Sequence, residues 1–249
     1  MMGSCLVVDA GNTTLKAALA SSGNLGGVSR FGNELGGLDV WLSTLPPLDG
    51  IFVASVAPQR LPGLTRLLSR YAGVLHIENQ HVGLVNQTLE PQKTGVDRLL
   101  NCLAAYNHGV GALVVDVGSA VTWDVVSPEG KFLGGAIAPG PQLQLLSLHQ
   151  HTEQLPALGL PGVLPEAVLG LDSEQAILSG VLHGLLASLV GVSQAMELSL
   201  PFKPVRILTG GYAGLFAPAM AANGFQHDPL LTLRGIYCAG AKLMESRRP

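Results

Sequence analysis

Charge is scarce in this chain: Asp, Glu, Lys and Arg make up 12% of its 249 residues and leave a formal net charge of −3. No basic stripe of the kind that follows a phosphate backbone is present, so nucleic acid is not an expected partner. Cysteine is nearly absent. Cys5, Cys102 and Cys238 are odd in number, far apart and form no Cys-x-x-Cys pair. That argues against a disulfide framework and for reduced, mostly buried thiols in a cytoplasmic protein. Met1–Ala10 carries no basic region ahead of its apolar run, so no secretory leader is expected.

Several chemical signatures are missing as well. There is no Gly-x-x-x-x-Gly-Lys-[Ser/Thr] loop, no Gly-x-Gly-x-x-Gly after a strand and no Gly-x-Ser-x-Gly elbow. A Walker-type phosphate loop, a dinucleotide fingerprint and a hydrolase triad are therefore unsupported. His149 and His151 have no Cys or carboxylate at ligand spacing and are expected at the surface or at a pocket edge.

Apolar residues, by contrast, make up 47% of the chain, enough for one large domain or two modest lobes. One run, Ala176 to Met196, contains no charged residue and is long enough to cross a bilayer. It also carries Ser179, His183, Ser188, Ser193 and Gln194, with no basic cluster beside it. The expected reading is a helix apolar on most faces, in a core or at a dimer interface, and no membrane association.

The organisation shows in an internal repetition. Residues 6–20 read LVVDAGNTTLKAALA and residues 113–127 read LVVDVGSAVTWDVVS. Each is a Leu-Val-Val strand, an Asp, any residue, a Gly, a small polar residue and a second β-rich run. Asp9 and Asp116 hold the same place 107 residues apart, a period that suits a duplicated lobe rather than a solenoid. Expected strands are 5–10, 15–21, 27–31, 50–55, 74–77, 112–117, 122–126, 131–137 and 205–209. Expected helices are 36–44, 58–71, 96–108, 141–150, 172–198, 212–222 and 235–246. The fold class is α/β: two lobes, 1–95 and 96–249, each a mixed sheet flanked by helices, with a cleft between them. Trp123 is expected to pack a hairpin face, and the direction of Asp124 is open.

In each copy the Asp leaves a buried strand and a tight turn follows. Gly11 and Gly118 let the backbone approach a ligand closely. Asn12, Thr13 and Thr14 add donors suited to phosphate oxygens, and Lys16 adds a positive charge whose direction strand alternation leaves open. Asp9 suits a hydrated Mg²⁺, which takes one or two carboxylates with phosphate oxygens and water. Taken singly, such a segment is also an ordinary turn. Two copies at the ends of matched strands favour a nucleotide triphosphate. A third motif, Gly95-Val96-Asp97-Arg98, opens a helix, where an anion is welcome. Arg98 suits a carboxylate and Asp97 suits the proton of an acceptor hydroxyl; a plain helix cap is the alternative.

Together DAGNTTLK (9–16), GVDR (95–98), DVGSAVTWD (116–124), GGAIAPG (134–140), TGG (209–211) and LTLRG (231–235) resemble the type III pantothenate kinases. The resemblance runs in order from about residue 5 to 243. It implies a duplicated actin-like (ribonuclease-H-like) fold, a homodimer, and transfer of the γ-phosphate of ATP to pantothenate with Mg²⁺ and K⁺ or NH₄⁺. It implies that Asp9, Ala10, Gly11, Asn12, Thr13, Thr14, Leu15 and Lys16 form the first ATP loop and that the Ser119 hydroxyl contacts ATP. Asp116 would bind the monovalent cation. Gly95, Val96, Asp97 and Arg98 would meet pantothenate, with Asp97 as general base and Ser173 reaching the substrate from the partner subunit.

Three departures stand out. Ser119 and Ser173 replace threonines, and Thr88 stands where the family commonly has a Tyr against the substrate. Two further readings belong to other classes: a degenerate nucleotide-binding regulator, and an actin- or chaperone-type ATPase. A kinase of another small hydroxy acid is the nearest alternative. Intact Asp9, Asp97, Arg98 and Asp116 favour catalysis, and 249 residues leave no room for a chaperone's peptide-binding domain.

Overall fold

The computed structural model describes residues 3–21, 24–32, 35–106 and 109–247. Two compact units emerge: Met1–Ala104 with Leu230–Pro249, and Ala105–Pro229. The boundary read from the sequence at 95/96 differs from this division, which keeps the helix after Gly95 with the first unit and returns the C-terminal helix to it.

The first unit runs β1 (Ser4–Ala10), β2 (Leu15–Ser21), β3 (Asn24–Phe31), α1 (Gly36–Leu42), β4 (Gly50–Ser55), α2 (Leu61–Leu68) and β5 (Val74–His76). The short α3 (Asn79–Val82), β6 (Val85–Asn86) and a 3-10 turn (Pro91–Lys93) lead into α4 (Val96–Ala105). Its sheet has the order β3-β2-β1-β4-β5, antiparallel in the hairpins and parallel from β1 through β4 to β5. Leu6, Val8, Leu15, Ile51 and Val53 pack with Leu38 and Leu42 of α1 and Leu64 and Leu68 of α2. This burial explains the unbroken apolar run of β1, a strand covered on both faces rather than one.

In the second unit β7 (Ala112–Val117), β8 (Ala120–Val126), β9 (Lys131–Pro139), α5 (Pro141–Gln150), α6 (Ser173–Leu198), β10 (Val205–Thr209), α7 (Ala213–Ala221) and β11 (Phe225–His227) follow one another. Strands β9-β8-β7-β10-β11 repeat the order and the directions of the first sheet. The repeated sequence is thus a repeated topology, and Asp9 and Asp116 each sit one residue before the end of the strand from which their sheet branches.

Trp123 packs a face of the β7–β8 hairpin as expected, its indole N–H donating to the Leu189 carbonyl of α6 (3.4 Å). Other expectations are filled in or change. Asp124 is fully buried and accepts from the Thr122 hydroxyl (2.8 Å). The helix expected over 96–108 ends at Ala105; Asn107 and His108 lie outside the described residues. Helix α2 is shorter than 58–71, and α3, β6 and β11, too short to carry a period, were not expected. Helix α6 is apolar along its length, and a third of its most hydropathic window is buried, on the line Ile177, Val181, Leu182, Leu185, Leu189 and Ser193. It is the one helix among the described residues long and apolar enough to cross a membrane.

The chain ends in α8 (Leu231–Ser246), which returns to the first unit and packs on β1, β2 and β4. It begins ahead of the expected residue 235 because Leu231, Thr232 and Leu233 are buried, with the Thr232 hydroxyl donating to Asn101 Oδ1 (2.8 Å). A Cβ on Gly235 would fall on the backbone carbonyl of Leu100 in α4. Helix propensity alone makes Gly235→Ala stabilising by about 1 kcal/mol. Backbone cannot rotate aside, so the expected result is a net loss of about 1–3 kcal/mol in urea denaturation. A stability equal to or above the parent's would refute the close α4–α8 approach.

Candidate active site

Both units carry candidate residues, most of them in the first. In the first, Asp9 pairs in register with Lys16, whose Nζ lies 3.9 Å from Asp9 Oδ2, both side chains being largely buried. Lys16 therefore points to the same side of the sheet as Asp9, a direction that alternation left undecided. The distance is long for an ion pair, so its consequence is local charge more than stability. Ala10 and Leu15 are core residues, which leaves only their backbone for a ligand. The Gly11 N–H donates to the Thr14 carbonyl (3.1 Å) and closes the turn, whose tip, Asn12, Thr13 and Thr14, is exposed. The Ala10 carbonyl accepts from the Val56 N–H and the Ser55 hydroxyl (both 3.3 Å), tying the turn to the end of β4.

The third motif lies in the same unit. Asp97 occupies the first turn of α4 and folds back, its Oδ1 accepting from the Arg98 N–H (2.9 Å). That oxygen would sit 2.6 Å from a Cβ on residue 95, so a larger residue before the helix would have to displace the Asp97 carboxylate. Burial raises the Asp97 carboxyl above its ordinary value, and the Arg98 N–H and guanidinium oppose the shift without cancelling it. Thr88 sits in a polar network leading to Gly95. Its N–H and hydroxyl donate to Asn86 Oδ1 (3.0 and 2.9 Å), and Asn86 Nδ2 donates to Thr94 Oγ1 (2.9 Å). Asn79 Nδ2 holds the Thr94 carbonyl (2.8 Å).

In the second unit the Asp116 turn is enclosed by two glycine motifs. The Gly118 N–H donates to the Ala120 carbonyl (2.9 Å), and the Gly140 N–H donates to the Ser119 carbonyl (3.0 Å). A Cβ on Gly140 would stand 2.6 Å from that same oxygen. After β10, Gly210 adopts φ +110°, and a Cβ there would lie 2.5 Å from Asp116 Oδ1 and from the Val117 N. The Tyr212 N–H donates to the Val117 carbonyl (2.9 Å). The segments 134–140 and 209–211, distant in sequence, thus meet on one turn. Ser119 is exposed on it. Ser173 lies on another element, the first turn of α6, where Asp172 Oδ1 caps the helix by accepting from the Gln175 N–H (2.8 Å). His149 is exposed, and His151 lines a groove of about 500 Å³ with Leu143, Ser147 and Val181. Among the described residues no three His, Cys, Asp or Glu side chains group to hold a metal by themselves.

A family model described as type III pantothenate kinase matches residues 5–195. The chain belongs to the type III pantothenate kinase family. The type III pantothenate kinase of Paramagnetospirillum magneticum is 33% identical, over 93% of this chain and 94% of its own. That of Acidiphilium cryptum is 32% identical over 98% and 95%. Among solved structures, one described as a Baf family transcriptional activator from Campylobacter jejuni aligns with TM-score 0.61 and 21% identity over 96% of this chain and 99% of that one. MreB 5 of Spiroplasma citri bound to AMPPNP aligns with TM-score 0.51 and 10% identity over 99% and 98%. Such identities speak to fold alone, and the fold is the actin-like one with duplicated halves. Family membership makes the chain an ATP-using kinase with a small-molecule acceptor.

The family match ends before 209–211 and 231–235. For those segments the support is structural: Gly210 abuts Asp116, and Thr232 and Gly235 abut α4. Sequence reasoning missed Arg60, whose guanidinium reaches the first turn; no motif marks it.

Proposed function

We propose that this chain transfers the γ-phosphate of ATP to the primary hydroxyl of pantothenate, giving 4′-phosphopantothenate in the first step of coenzyme A biosynthesis. The observation that carries the chemistry is Asp97, a carboxylate at a helix N-terminus whose proton affinity burial has raised toward that of a working base. In this reading Asp97 orients the acceptor hydroxyl and takes its proton as the phosphoryl group arrives. Arg98 pairs with the pantothenate carboxylate, while Gly95, Val96, Thr88 and a partner's Ser173 bound the acceptor. Thr88 is engaged with Asn86, so this wall of the pocket is small and polar.

Residues Asp9 to Lys16 hold the β- and γ-phosphates of ATP, with Ser119 adding a hydroxyl. The first turn belongs to the first unit and the second turn to the second. One largely buried carboxylate, Asp9, beside a turn of backbone donors fits Mg²⁺, which brings its own water and phosphate ligands. When bound, Mg²⁺ neutralises charge that develops on the transferred phosphoryl group. Asp116, packed against the Val117 and Gly210 backbone, offers the oxygen donors that suit K⁺ or NH₄⁺. Positioning and electrostatics supply most of the acceleration.

The enzyme works as a cytoplasmic homodimer in this reading. Support comes from α6, whose outward face of Gly180, Gly184, Ala187 and Gly191 is exposed and uncharged. The test is an ADP-release assay with ATP, Mg²⁺ and K⁺, with and without pantothenate, repeated with Na⁺ for K⁺. Release dependent on both pantothenate and K⁺ is expected. Pantothenate-independent release would replace this function by an ATPase. Bound ATP without release would leave a regulator or a different acceptor.

A further inference from the structure

Arg60 stands at the N-cap of α2, yet its side chain makes no capping hydrogen bond to its own helix. It turns instead to the first phosphate turn. One guanidinium nitrogen donates to the Gly11 carbonyl (2.8 Å) and to the Asn12 carbonyl (3.4 Å), and the other reaches the Gly32 carbonyl after β3 (3.5 Å). Three backbone oxygens from two connections thus converge on one planar, permanently charged fork.

The consequence follows from peptide geometry. No peptide bond in the described residues is cis. In a trans peptide the C=O and the following N–H point in opposite directions. A group that draws back the carbonyls of Gly11 and Asn12 therefore turns the N–H groups of Asn12 and Thr13 the other way, at the exposed tip of the turn. The cation behind the carbonyls also polarises those peptide units, which strengthens their N–H ends as donors. Successive N–H groups aimed to one side form a concavity for anions.

We propose that Arg60 is a positioning residue for nucleotide binding: it holds the Gly11–Asn12 backbone so that the turn presents its N–H groups to the phosphates of ATP. The proposal rests on the reading of residues 9–16 as the ATP loop. Arg60 acts through the turn and touches neither acceptor nor base.

The test compares the parent with Arg60→Met and Arg60→Lys, measuring affinity for a non-hydrolysable ATP analogue, KM for ATP and for pantothenate, and Tm. Losing a charge-assisted pair of bonds should weaken analogue binding in Arg60→Met about 10–100-fold and raise KM for ATP in parallel. KM for pantothenate should stay within about twofold, since those contacts lie elsewhere. Arg60→Lys should fall between, because an ammonium keeps the charge but not the fork. Should Arg60→Met fail to fold, Arg60→Lys and Arg60→Gln decide by the same split between the two KM values. Parent-like analogue affinity in the variants overturns the proposal alone, as does an equal rise in both KM values. Absence of analogue binding by the parent overturns the phosphate-turn reading and the Arg60 role with it.

Discussion

Asp97→Asn is expected to lower turnover by about 10²–10⁴, the usual contribution of a general base, in a protein that still folds and still binds ATP. Asparagine keeps the shape and can still face the Arg98 N–H through its carbonyl oxygen, so the loss reports proton transfer rather than collapse. The parent's pH profile follows from the same residue. A base works only when ionised, and burial raises the Asp97 carboxyl above its ordinary value. The acid limb of kcat/KM should therefore lie at higher pH than an exposed carboxylate would give. Stability carries the opposite sign. The folded chain holds this proton more tightly than the unfolded one, so the stability it contributes is present below the unfolded pKa and is lost as pH rises through the folded pKa. Asp97→Asn should accordingly melt above the parent at neutral pH, with the gap closing as pH falls into the ordinary carboxylate range. Wild-type turnover in the variant would end the base assignment; a Tm below the parent's at neutral pH would contradict the burial argument.

Gly210→Ala is expected to damage both fold and chemistry in the second unit. Its φ of +110° lies where L side chains rarely go, and the added methyl would press on Asp116 Oδ1 and the Val117 backbone. Strain of this kind costs about 1–3 kcal/mol. Relief by moving Asp116 would displace the second turn, and an ångström of misplacement at a reacting centre costs about 10² in rate. Gly214→Ala is the matched control: it lies a few residues on, inside α7, with nothing near the position a Cβ would take. Urea denaturation and the ADP-release assay on both variants separate the outcomes. Equal behaviour of the two would mean that the Asp116 turn is not built on Gly210.

Much of the site could be read along the chain because its chemistry is local. A Leu-Val-Val strand, an Asp and a Gly-led turn are contiguous in both copies, and Asp97 and Arg98 share one helical turn with Gly95. The duplication was legible for a related reason, since a repeated sequence folds into a repeated sheet, although the order of the strands came only from the structure. Arg60 was not legible, because its partners lie 49, 48 and 28 residues away and nothing in its own segment marks it. The cover over Trp123 was not legible either: alternation in β8 says which side a residue takes, but not that α6 covers that side. Composition likewise made α6 a helix without saying which of its faces would be covered.

By itself, then, the sequence determined the elements that depend on neighbours in the chain: the paired Asp turns, the helix opening at Gly95 and the family to which they belong. Tertiary structure alone decided what depends on contacts between distant segments. It set the proton affinity of Asp97 through burial, the closing of Gly140 and Gly210 over the Asp116 turn, and the grip of Arg60 on Gly11 and Asn12. Desolvation, close packing and charge are properties of what surrounds a residue in space, and no period or spacing along the chain encodes them.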